Sequence, residues 1–172
     1  GQFAQWVGEM IPDVKQEILL IADEGREEEC IIRLSRVGYD HTIGVLKGGM
    51  AAWKAAGREV DSVERMAASD FEKRFGKGDA IVFDVRKKSE YDSEHVIGAI
   101  NIPLNQINQH LSVFPKDKPF IVHCAGGYRS MIAASMLKQR GWDNLADVAG
   151  GFAEIAKTAV PKTDYVCPTT LL

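Results

Sequence analysis

Short apolar runs alternate with helix-like stretches along most of this chain. Residues 18–22, 80–84 and 120–124 are almost continuously apolar and are bounded by turn residues. Runs of this length are typical of strands that are buried on both faces of a sheet. Residues 27–37 and 130–140 are helix-like. Strands that alternate with helices in this way predict an α/β fold built on a doubly wound parallel sheet, with helices on both faces.

Weaker parts of the pattern complete this outline. Further short strands are expected at residues 43–46, 99–102 and 146–149. Helices are expected at residues 3–11, 50–56, 69–75 and 104–111, and another begins at residue 152. Residues 89–95 are expected to form a short helix or a turn. Glycine and proline mark most of the boundaries between these elements. The last residues, 161–172, lack such a pattern and predict a loose tail.

One plan occurs twice along the chain, at residues 18–57 and 120–157. In each copy an apolar run leads to a turn with an arginine, a helix, a Gly-aromatic-Asp turn and a Gly-Gly pair. The matching segments are Gly38-Tyr39-Asp40 with Gly141-Trp142-Asp143, and Gly48-Gly49-Met50 with Gly150-Gly151-Phe152. Self-similarity of this kind indicates a repeated structural unit. The repeat predicts four parts: a partial copy at residues 1–60, a linker at 61–66, a complete domain at 67–160 and the tail at 161–172.

Composition and charge exclude several classes of protein. Among 172 residues, 45% are hydrophobic and 26% are charged, which is typical of a globular protein in water. The net charge of −3 favours neither nucleic acid nor an anionic membrane, and no apolar run reaches the length of a membrane-spanning helix. The three cysteines, Cys30, Cys124 and Cys167, lack metal-ligand spacing. We therefore expect no metal, no cofactor and a reducing, cytoplasmic environment.

The candidate chemistry lies where the apolar run 120–124 ends in Cys124. A small loop with Gly126 and Gly127 follows, and then Arg129 at the start of a helix. The two glycines can adopt backbone angles that turn the N–H groups of the loop inward, and the helix N-terminus adds further donors. Such a cradle favours an anion, and it also favours a cysteine thiolate over the thiol. Arg129 adds a fixed positive charge that suits an oxyanion.

The sequence Cys124-x4-Arg129-Ser130 after a strand resembles the active loop of rhodanese-like sulfurtransferases. Phe83-Asp84-Val85-Arg86, Glu90-Tyr91 and the segment 95–103 are also similar to patterns of that family. The resemblance covers residues 67–157. It implies a rhodanese-like domain with a five-stranded parallel sheet, preceded here by the partial second copy.

The resemblance also implies an activity. Cys124 would attack the outer sulfur of thiosulfate or of a low-molecular-weight persulfide and carry that sulfur as a persulfide. Cyanide or a thiol would then accept the sulfur, so the expected partners are small sulfur-containing anions and thiols. The implied substrate-binding residues are Ala125, Gly126, Gly127, Tyr128, Arg129 and Ser130, and the implied supporting residues are Asp84 and Arg86.

Two neighbouring side chains invite a catalytic interpretation that we do not favour. Arg86 and Glu90 are four residues apart, and the pair is expected to serve structure rather than substrate binding. His123 precedes Cys124, but the alternation of side chains along a strand sends the two residues to opposite faces. A base is also unnecessary if the thiolate is already formed.

Other functions remain open at this point. Cysteine-dependent phosphatases also have a His-Cys loop that ends in arginine, but their loop has five intervening residues, whereas Cys124 and Arg129 are separated by four. The smaller ring suits a single sulfur atom better than a tetrahedral phosphate. Arsenate reduction is a related alternative. A non-catalytic rhodanese-like binding module is the third alternative, although the intact Cys124 and Arg129 argue against it.

The partial first copy lacks the cysteine that the second copy has after its first strand. Ala22 stands where the second copy has Cys124, and acidic residues fill its loop and the start of its helix. We expect this copy to be catalytically inactive. The sheet of a half-domain must be completed by an upstream segment, by the second domain or by another copy of the chain, and a homodimer that completes it is one prediction. An inactive copy followed by an active one resembles the C-terminal part of metallo-β-lactamase–rhodanese fusions.

Overall fold

In the computed structural model, which describes residues 3–78 and 80–167, the chain folds into two units, residues 1–61 and 62–172. The first unit contains three helices, α1 (Phe3–Met10), α2 (Glu27–Ser35) and α3 (Gly49–Ala55). Its two strands, β1 (Ile18–Leu20) and β2 (Thr42–Val45), pair in parallel. The predicted elements of this unit are therefore present, with ends that differ from the predicted ones by up to two residues.

The core of the first unit is small and lies on one side of its sheet. Ile18, Leu34 and Tyr39 are buried, and the hydroxyl of Tyr39 donates to the carbonyl oxygen of Ile11. Leu19 points to the other side and is 74% exposed. The prediction that the strand at residues 18–22 is buried on both faces was therefore wrong, because among the described residues nothing covers its second face.

The second unit is built on five parallel strands. They are β3 (Glu64–Met66), β4 (Ile81–Asp84), β5 (Ile100–Asn101), β6 (Phe120–His123) and β7 (Leu145–Val148), in the spatial order β3-β7-β6-β4-β5. Helices α4 (Ala68–Gly76), α5 (Lys88–Ser93), α6 (Tyr128–Gln139) and α7 (Gly151–Ile155) connect or follow them. The predicted α/β fold with a five-stranded parallel sheet is confirmed.

The burial of β6 and β7 explains why the hydrophobic pattern of the sequence predicts them. All four residues of each are buried, as expected for central strands of a parallel sheet. Val122 is fully buried, and Phe83 of the neighbouring strand β4 contacts Phe120 with ring centroids 5.3 Å apart. This packing helps to hold β6 in the sheet, and Cys124 directly follows the last residue of that strand.

Three segments differ from the sequence-based outline. Residues 64–66, inside the predicted linker, form the edge strand β3 and pair with β7. The predicted helix at 104–111 is a pair of 3₁₀ turns, Leu104–Gln109 and Leu111–Val113. The predicted tail is not loose at its start, because Thr163 donates its N–H to His95 O and Val166 donates its N–H to Ser93 O. Residues 168–172 lie outside the described part of the chain.

Within residues 3–78 and 80–167, none of the helices combines the length and the apolar character that crossing a bilayer requires.

Candidate active site

The candidate site occupies the carboxyl end of β6, where the chain turns into α6. Cys124 directly follows the strand, and α6 begins four residues later with Gly127 as its N-terminal cap. Gly127 has φ = +89°, in the left-handed region. A Cβ atom on it would lie 3.1 Å from Nη2 of Arg65 and 3.2 Å from the nitrogen of Gly150. Both observations explain why glycine is needed at this turn.

The sulfur of Cys124 is enclosed by hydrogen-bond donors. Cys124 is 1% exposed, and its Sγ accepts the backbone N–H of Gly127 at 3.1 Å. The hydroxyl of the fully buried Ser130 lies 3.5 Å from the same sulfur. Donors placed in this way stabilise a negatively charged sulfur. One backbone N–H of the loop, that of Gly127, therefore faces the sulfur of Cys124.

The carbonyl side of the loop is held by α7. Phe152 donates its N–H to Cys124 O at 2.6 Å, and Ala153 donates its N–H to Ala125 O at 3.0 Å. Because the free N–H groups at the start of a helix bind these carbonyls, the carbonyl dipoles point away from the sulfur. Gly151, at φ = +58°, passes directly against this backbone, and a Cβ there would lie 2.9 Å from the carbonyl carbon of Ala125.

Arg129 is part of an ion pair beside the loop. Its Nη1 lies 2.5 Å from Oε2 of Glu90, and its Nη2 lies 2.8 Å from Oε1. Burial alone would raise the pKa of Glu90, but the hydrogen bonds and charge of Arg129 outweigh it and hold that pKa below its ordinary value. The pKa of Arg129 is raised by the same hydrogen bonds. The structure thus shows Arg129 bracing the loop against α5.

Arg86 pairs with Asp84 and not with Glu90, so the predicted Arg86–Glu90 pair was wrong. Nε of Arg86 lies 3.0 and 2.9 Å from the two carboxylate oxygens of Asp84, and Nη2 lies 2.6 Å from Oδ2. Both side chains are buried. The spacing of four residues suggested a helical pair, but Arg86 precedes α5 and turns back towards the end of β4.

Arg86 also supports the loop indirectly. Its Cζ lies 4.1 Å from the centroid of the Phe152 ring, and its Nη2 donates to the carbonyl oxygen of Glu94. Phe152 is the residue whose N–H binds Cys124 O. The contact from Arg86 through Phe152 to Cys124 O is consistent with the supporting role predicted for Asp84 and Arg86.

His123 lies beside the Asp84–Arg86 pair and is fully buried. Its Nε2 is 3.8 Å from Oδ2 of Asp84, and its Nδ1 is 3.4 Å from Cys124 O. Burial lowers the pKa of His123, the charge of Asp84 partly opposes this, and that of Arg86 adds to it. The ring is therefore neutral near pH 7. Since His123 Nδ1 faces the carbonyl of Cys124 and not its sulfur, we assign it no role as a base.

The remaining predicted loop residues differ in exposure. Ala125 is half-buried, whereas Gly126 is exposed and Tyr128 is 72% exposed at the start of α6. Tyr128 therefore lies at the surface of the protein. Of the predicted loop residues, Gly127 and Ser130 contact the Cys124 sulfur, and Arg129 pairs with Glu90.

Sequence reasoning missed two charged residues near the loop. Arg65 on β3 places Nη2 against Gly127, and its Nε lies 3.3 Å from Oδ2 of Asp147 on β7. The side chain of Asp147 is fully buried. A single acidic residue inside an otherwise apolar strand was the available signal for Asp147, because a buried charge is costly unless it has a purpose or a partner. Arg65 gave no such signal, since it fell within the predicted linker.

Comparison with known proteins identifies similar chains. The model of the rhodanese-like domain family matches residues 67–158. An uncharacterised Bacillus subtilis protein, YqhL, is 37% identical over 79 residues, which span 46% of this chain and 63% of that protein. The thiosulfate sulfurtransferase GlpE of Coxiella burnetii is 30% identical over 88 residues, 51% of this chain and 81% of the relative. A rhodanese-related protein from Thermoplasma volcanium has a crystal structure that matches with a TM-score of 0.54 and 29% identity, over 58% of this chain and 97% of that one.

Proposed function

Because this chain belongs to the rhodanese-like domain family, we propose that it is a sulfurtransferase that carries sulfane sulfur on Cys124. The relatives named as sulfurtransferases support this class of activity. The single observation that carries the proposal is the hydrogen bond from the N–H of Gly127 to Cys124 Sγ at 3.1 Å. A loop that donates to the sulfur is suited to hold an anionic thiolate and then an anionic persulfide.

The proposed reaction has two displacement steps at sulfur. The Cys124 thiolate attacks the outer sulfur of thiosulfate, a new S–S bond forms, and sulfite leaves with the electron pair of the broken bond. An acceptor, cyanide or a thiolate, then attacks the outer sulfur of the persulfide. The S–S bond to Cys124 breaks and the thiolate is regenerated, so the protein is neither oxidised nor reduced over a full cycle.

The donor is proposed to be an anion or a small persulfide. The name of the Coxiella relative includes thiosulfate, and the inward N–H groups of the loop favour negative charge. Glutathione persulfide and coenzyme A persulfide satisfy the same requirement. The substrate contacts are assigned to the loop residues 125–130, with Asp84 and Arg86 in support.

The phosphatase and arsenate reductase alternatives are less well supported. Cys124 and Arg129 are separated by four residues, one fewer than in the loop of cysteine-dependent phosphatases. The smaller ring suits a single sulfur atom better than a tetrahedral phosphate. The binding-module alternative predicts no chemistry at Cys124 and is distinguished by the same experiment.

The decisive experiment is intact-mass measurement after incubation with thiosulfate. The wild-type chain should gain one sulfur atom, cyanide should remove it, and Cys124→Ser should gain none. Cys30→Ser and Cys167→Ser are matched controls that should load like wild type. Turnover of an aryl phosphate without any gain of sulfur would overturn the proposal in favour of a phosphatase. Silence in both assays would favour the binding module.

We also propose that residues 1–60 are an inactive half-copy of the same fold, followed by a complete domain whose sheet includes β3 from the predicted linker. The order β1, loop, α2, β2, turn, α3 repeats that of β6, loop, α6, β7, turn, α7. A Cβ on Gly49 would lie 3.2 Å from Ala22 O, so Gly49 approaches Ala22 as Gly151 approaches Cys124. The resemblance to metallo-β-lactamase–rhodanese fusions is part of this proposal.

The uncovered face of β1 and β2 supports completion of this half-copy by a second chain. Leu19, Ile43 and Trp53 are exposed, whereas the matching residues of the second copy are buried in one cluster. Those matching residues are Ile121, Ala146 and Ile155. We expect light scattering to show a dimer that Leu19→Lys dissociates, with Ile32→Lys on α2 as the control. A wild-type chain that stays monomeric would contradict the homodimer.

A further inference from the structure

The stretch of chain that follows α7 runs back along the end of α5. We call residues 161–166 the C-terminal segment. Thr163 donates its N–H to His95 O at 2.9 Å, and its Oγ1 accepts the N–H of His95 at 3.1 Å. Val166 donates its N–H to Ser93 O at 2.8 Å, and the Ser93 hydroxyl donates to Val166 O at 2.6 Å. Two reciprocal pairs of hydrogen bonds therefore join the C-terminal segment to the end of α5 and the residues after it.

The C-terminal segment links the two helices that hold the active loop. It follows α7, whose Phe152 donates its N–H to Cys124 O. It also binds the end of α5, and α5 carries Glu90, whose carboxylate accepts hydrogen bonds from Arg129 at 2.5 and 2.8 Å. Cys124 and Arg129 stand at the two ends of the active loop. The contacts therefore form a closed ring that runs from the loop through α7, the C-terminal segment and α5 back to the loop.

Buried contacts fix both ends of this link. Ser93 is 6% exposed, and Val160, just before the C-terminal segment, is 3% exposed and belongs to the same core cluster as Ile155 of α7. The ammonium group of Lys162 donates to the carbonyl oxygens of Thr158 and Val160, at 3.0 Å each. Because buried polar groups are costly to leave unpaired, the C-terminal segment is held in one position between α7 and α5.

Two other hydrogen bonds hold the stretch around α5. Nη2 of Arg86 donates to Glu94 O at 2.7 Å, and the hydroxyl of Tyr91 donates to Ala99 O at 2.6 Å. Each of them joins residues that are close together in the sequence. Since α5 has only six residues, it depends on contacts outside the helix for its stability. The hydrogen bonds with the C-terminal segment supply such contacts from a distant part of the chain.

From this ring of contacts we infer that the C-terminal segment positions the active loop, with Val166 and Ser93 as positioning residues. They act through α5, because their hydrogen bonds keep Glu90 against Arg129. Arg129 in turn steadies the turn in which Gly127 donates its N–H to the sulfur at 3.1 Å. When the bonds of the C-terminal segment open, α5 is free to shift and the donor at the sulfur is less well fixed.

The inference rests on the proposed function, which it deepens, but its first test needs no sulfur donor. Amide hydrogen exchange, followed by NMR, measures how often the Gly127 N–H loses its partner. Val166→Pro removes the N–H that binds Ser93 O and should speed exchange at Gly127 by up to about tenfold, the limit set by one hydrogen bond of typical strength. Tyr165→Pro is the matched control and should leave this exchange unchanged, because among the described residues the Tyr165 N–H makes no hydrogen bond.

A second pair of variants removes a side chain instead of a main-chain donor. Ser93→Ala deletes the hydroxyl that binds Val166 O and should speed the same exchange. Ser89→Ala, at an exposed position of the same helix, should not. Glu90→Ala breaks the link between α5 and the active loop, so adding Val166→Pro to it should give no further increase.

A purely structural role would give a different pattern. Faster exchange in α5 and the C-terminal segment with an unchanged Gly127 would overturn the inference. An equal rise at Gly127 and at Val122 of the central strand would report a loss of overall stability and would overturn it too. So would additive effects of Glu90→Ala and Val166→Pro. If Val166→Pro does not fold, the Ser93 and Ser89 variants decide the question.

Sulfur loading is the second measurement. With thiosulfate, Val166→Pro should gain sulfur about threefold more slowly than Tyr165→Pro, because small displacements of a reacting group are costly. Equal rates would overturn the positioning role in the reaction. A wild-type chain that gains no sulfur but shows the expected exchange pattern would retain the link between the C-terminal segment and the loop and reject the sulfurtransferase.

Discussion

Phe152 donates its backbone N–H to the carbonyl oxygen of Cys124 across 2.6 Å. Cys124, the proposed nucleophile, is thereby held through its main chain by helix α7. The guanidinium of Arg86 stacks on the ring of Phe152, with Cζ 4.1 Å from the ring centroid. The orientation of the active loop consequently depends on α7 and on a buried ion pair, and both can be tested by substitution.

The close approach of Gly151 predicts that Gly151→Ala impairs the active loop. The new Cβ would lie within 2.9 Å of backbone carbons of Cys124 and Ala125. We expect sulfur loading from thiosulfate, measured by mass, to slow by about tenfold or more, because small displacements of a reacting group are costly. Gly98→Ala is the matched control: φ there is +85° and nothing lies within 4 Å, so only the backbone cost of about 1 kcal/mol applies. Equal loading rates in the two variants would contradict the packing argument.

The buried pair of Arg86 and Asp84 predicts a large loss of stability when one partner is removed. Arg86→Met leaves the Asp84 carboxylate uncompensated and should lower the free energy of unfolding by about 3 kcal/mol or more, as measured with urea. Arg74→Met, which breaks an exposed pair with Glu64, should cost less than about 1 kcal/mol. The double variant Asp84→Asn/Arg86→Met should recover part of the loss. No recovery would indicate that packing on Phe152, and not charge, is the main contribution of Arg86.

The pair of Glu90 and Arg129 predicts a pH-dependent contribution to stability. The pKa of Glu90 is held below its ordinary value of 4.5, so the contribution is complete above that pH and is lost as the pH falls through the lowered pKa. Glu90→Gln should therefore be less stable than wild type at pH 7, by about 1 kcal/mol for a partly exposed pair. The difference should shrink as the pH falls below 4.5 and through the lowered pKa of Glu90. Urea unfolding at pH 7 and at a series of acidic pH values measures it, and a difference that grows on acidification would refute the assignment.

The burial of neutral His123 predicts a second loss of stability as the pH falls. Its pKa is lowered from 6.5, so the unfolded chain binds a proton there that the folded chain excludes. Stability should fall as the pH drops below 6.5, with a slope of up to about 1.4 kcal/mol per pH unit from this residue. His123→Phe keeps a ring and loses the contact of Nδ1 with Cys124 O at 3.4 Å, whereas Nε2 makes no hydrogen bond among the described residues. This variant should flatten the dependence of stability on pH below 6.5.

The central part of the fold was predictable because its strands are buried on both sides. Phe120 to Val122 and Ile81 to Phe83 are apolar without interruption, and turn residues delimit them. Strand β3 was not predictable in this way. Only Met66 of its three residues is buried, and the strand forms through pairing with β7, far away in the sequence.

The candidate site was predictable as a list of residues, but its contacts were only partly so. Spacing placed Cys124 and Gly127 in one loop, and the structure brings them into contact. Sequence spacing could not show that Arg129 pairs with Glu90, because Glu90 is distant along the chain. Hydrogen bonds of the main chain, such as those that hold Thr163 and Val166, leave no mark in the pattern of side chains.

The burial of Cys124 affects how easily oxidants can reach its sulfur. With only 1% of the residue exposed, its own sulfur is shielded from bulky oxidants. A sulfur atom bound to it would extend about 2 Å farther along the S–S bond. If Cys124 carries sulfur as proposed, an acceptor must reach that outer sulfur, whereas the sulfur of Cys124 itself stays buried under the loop.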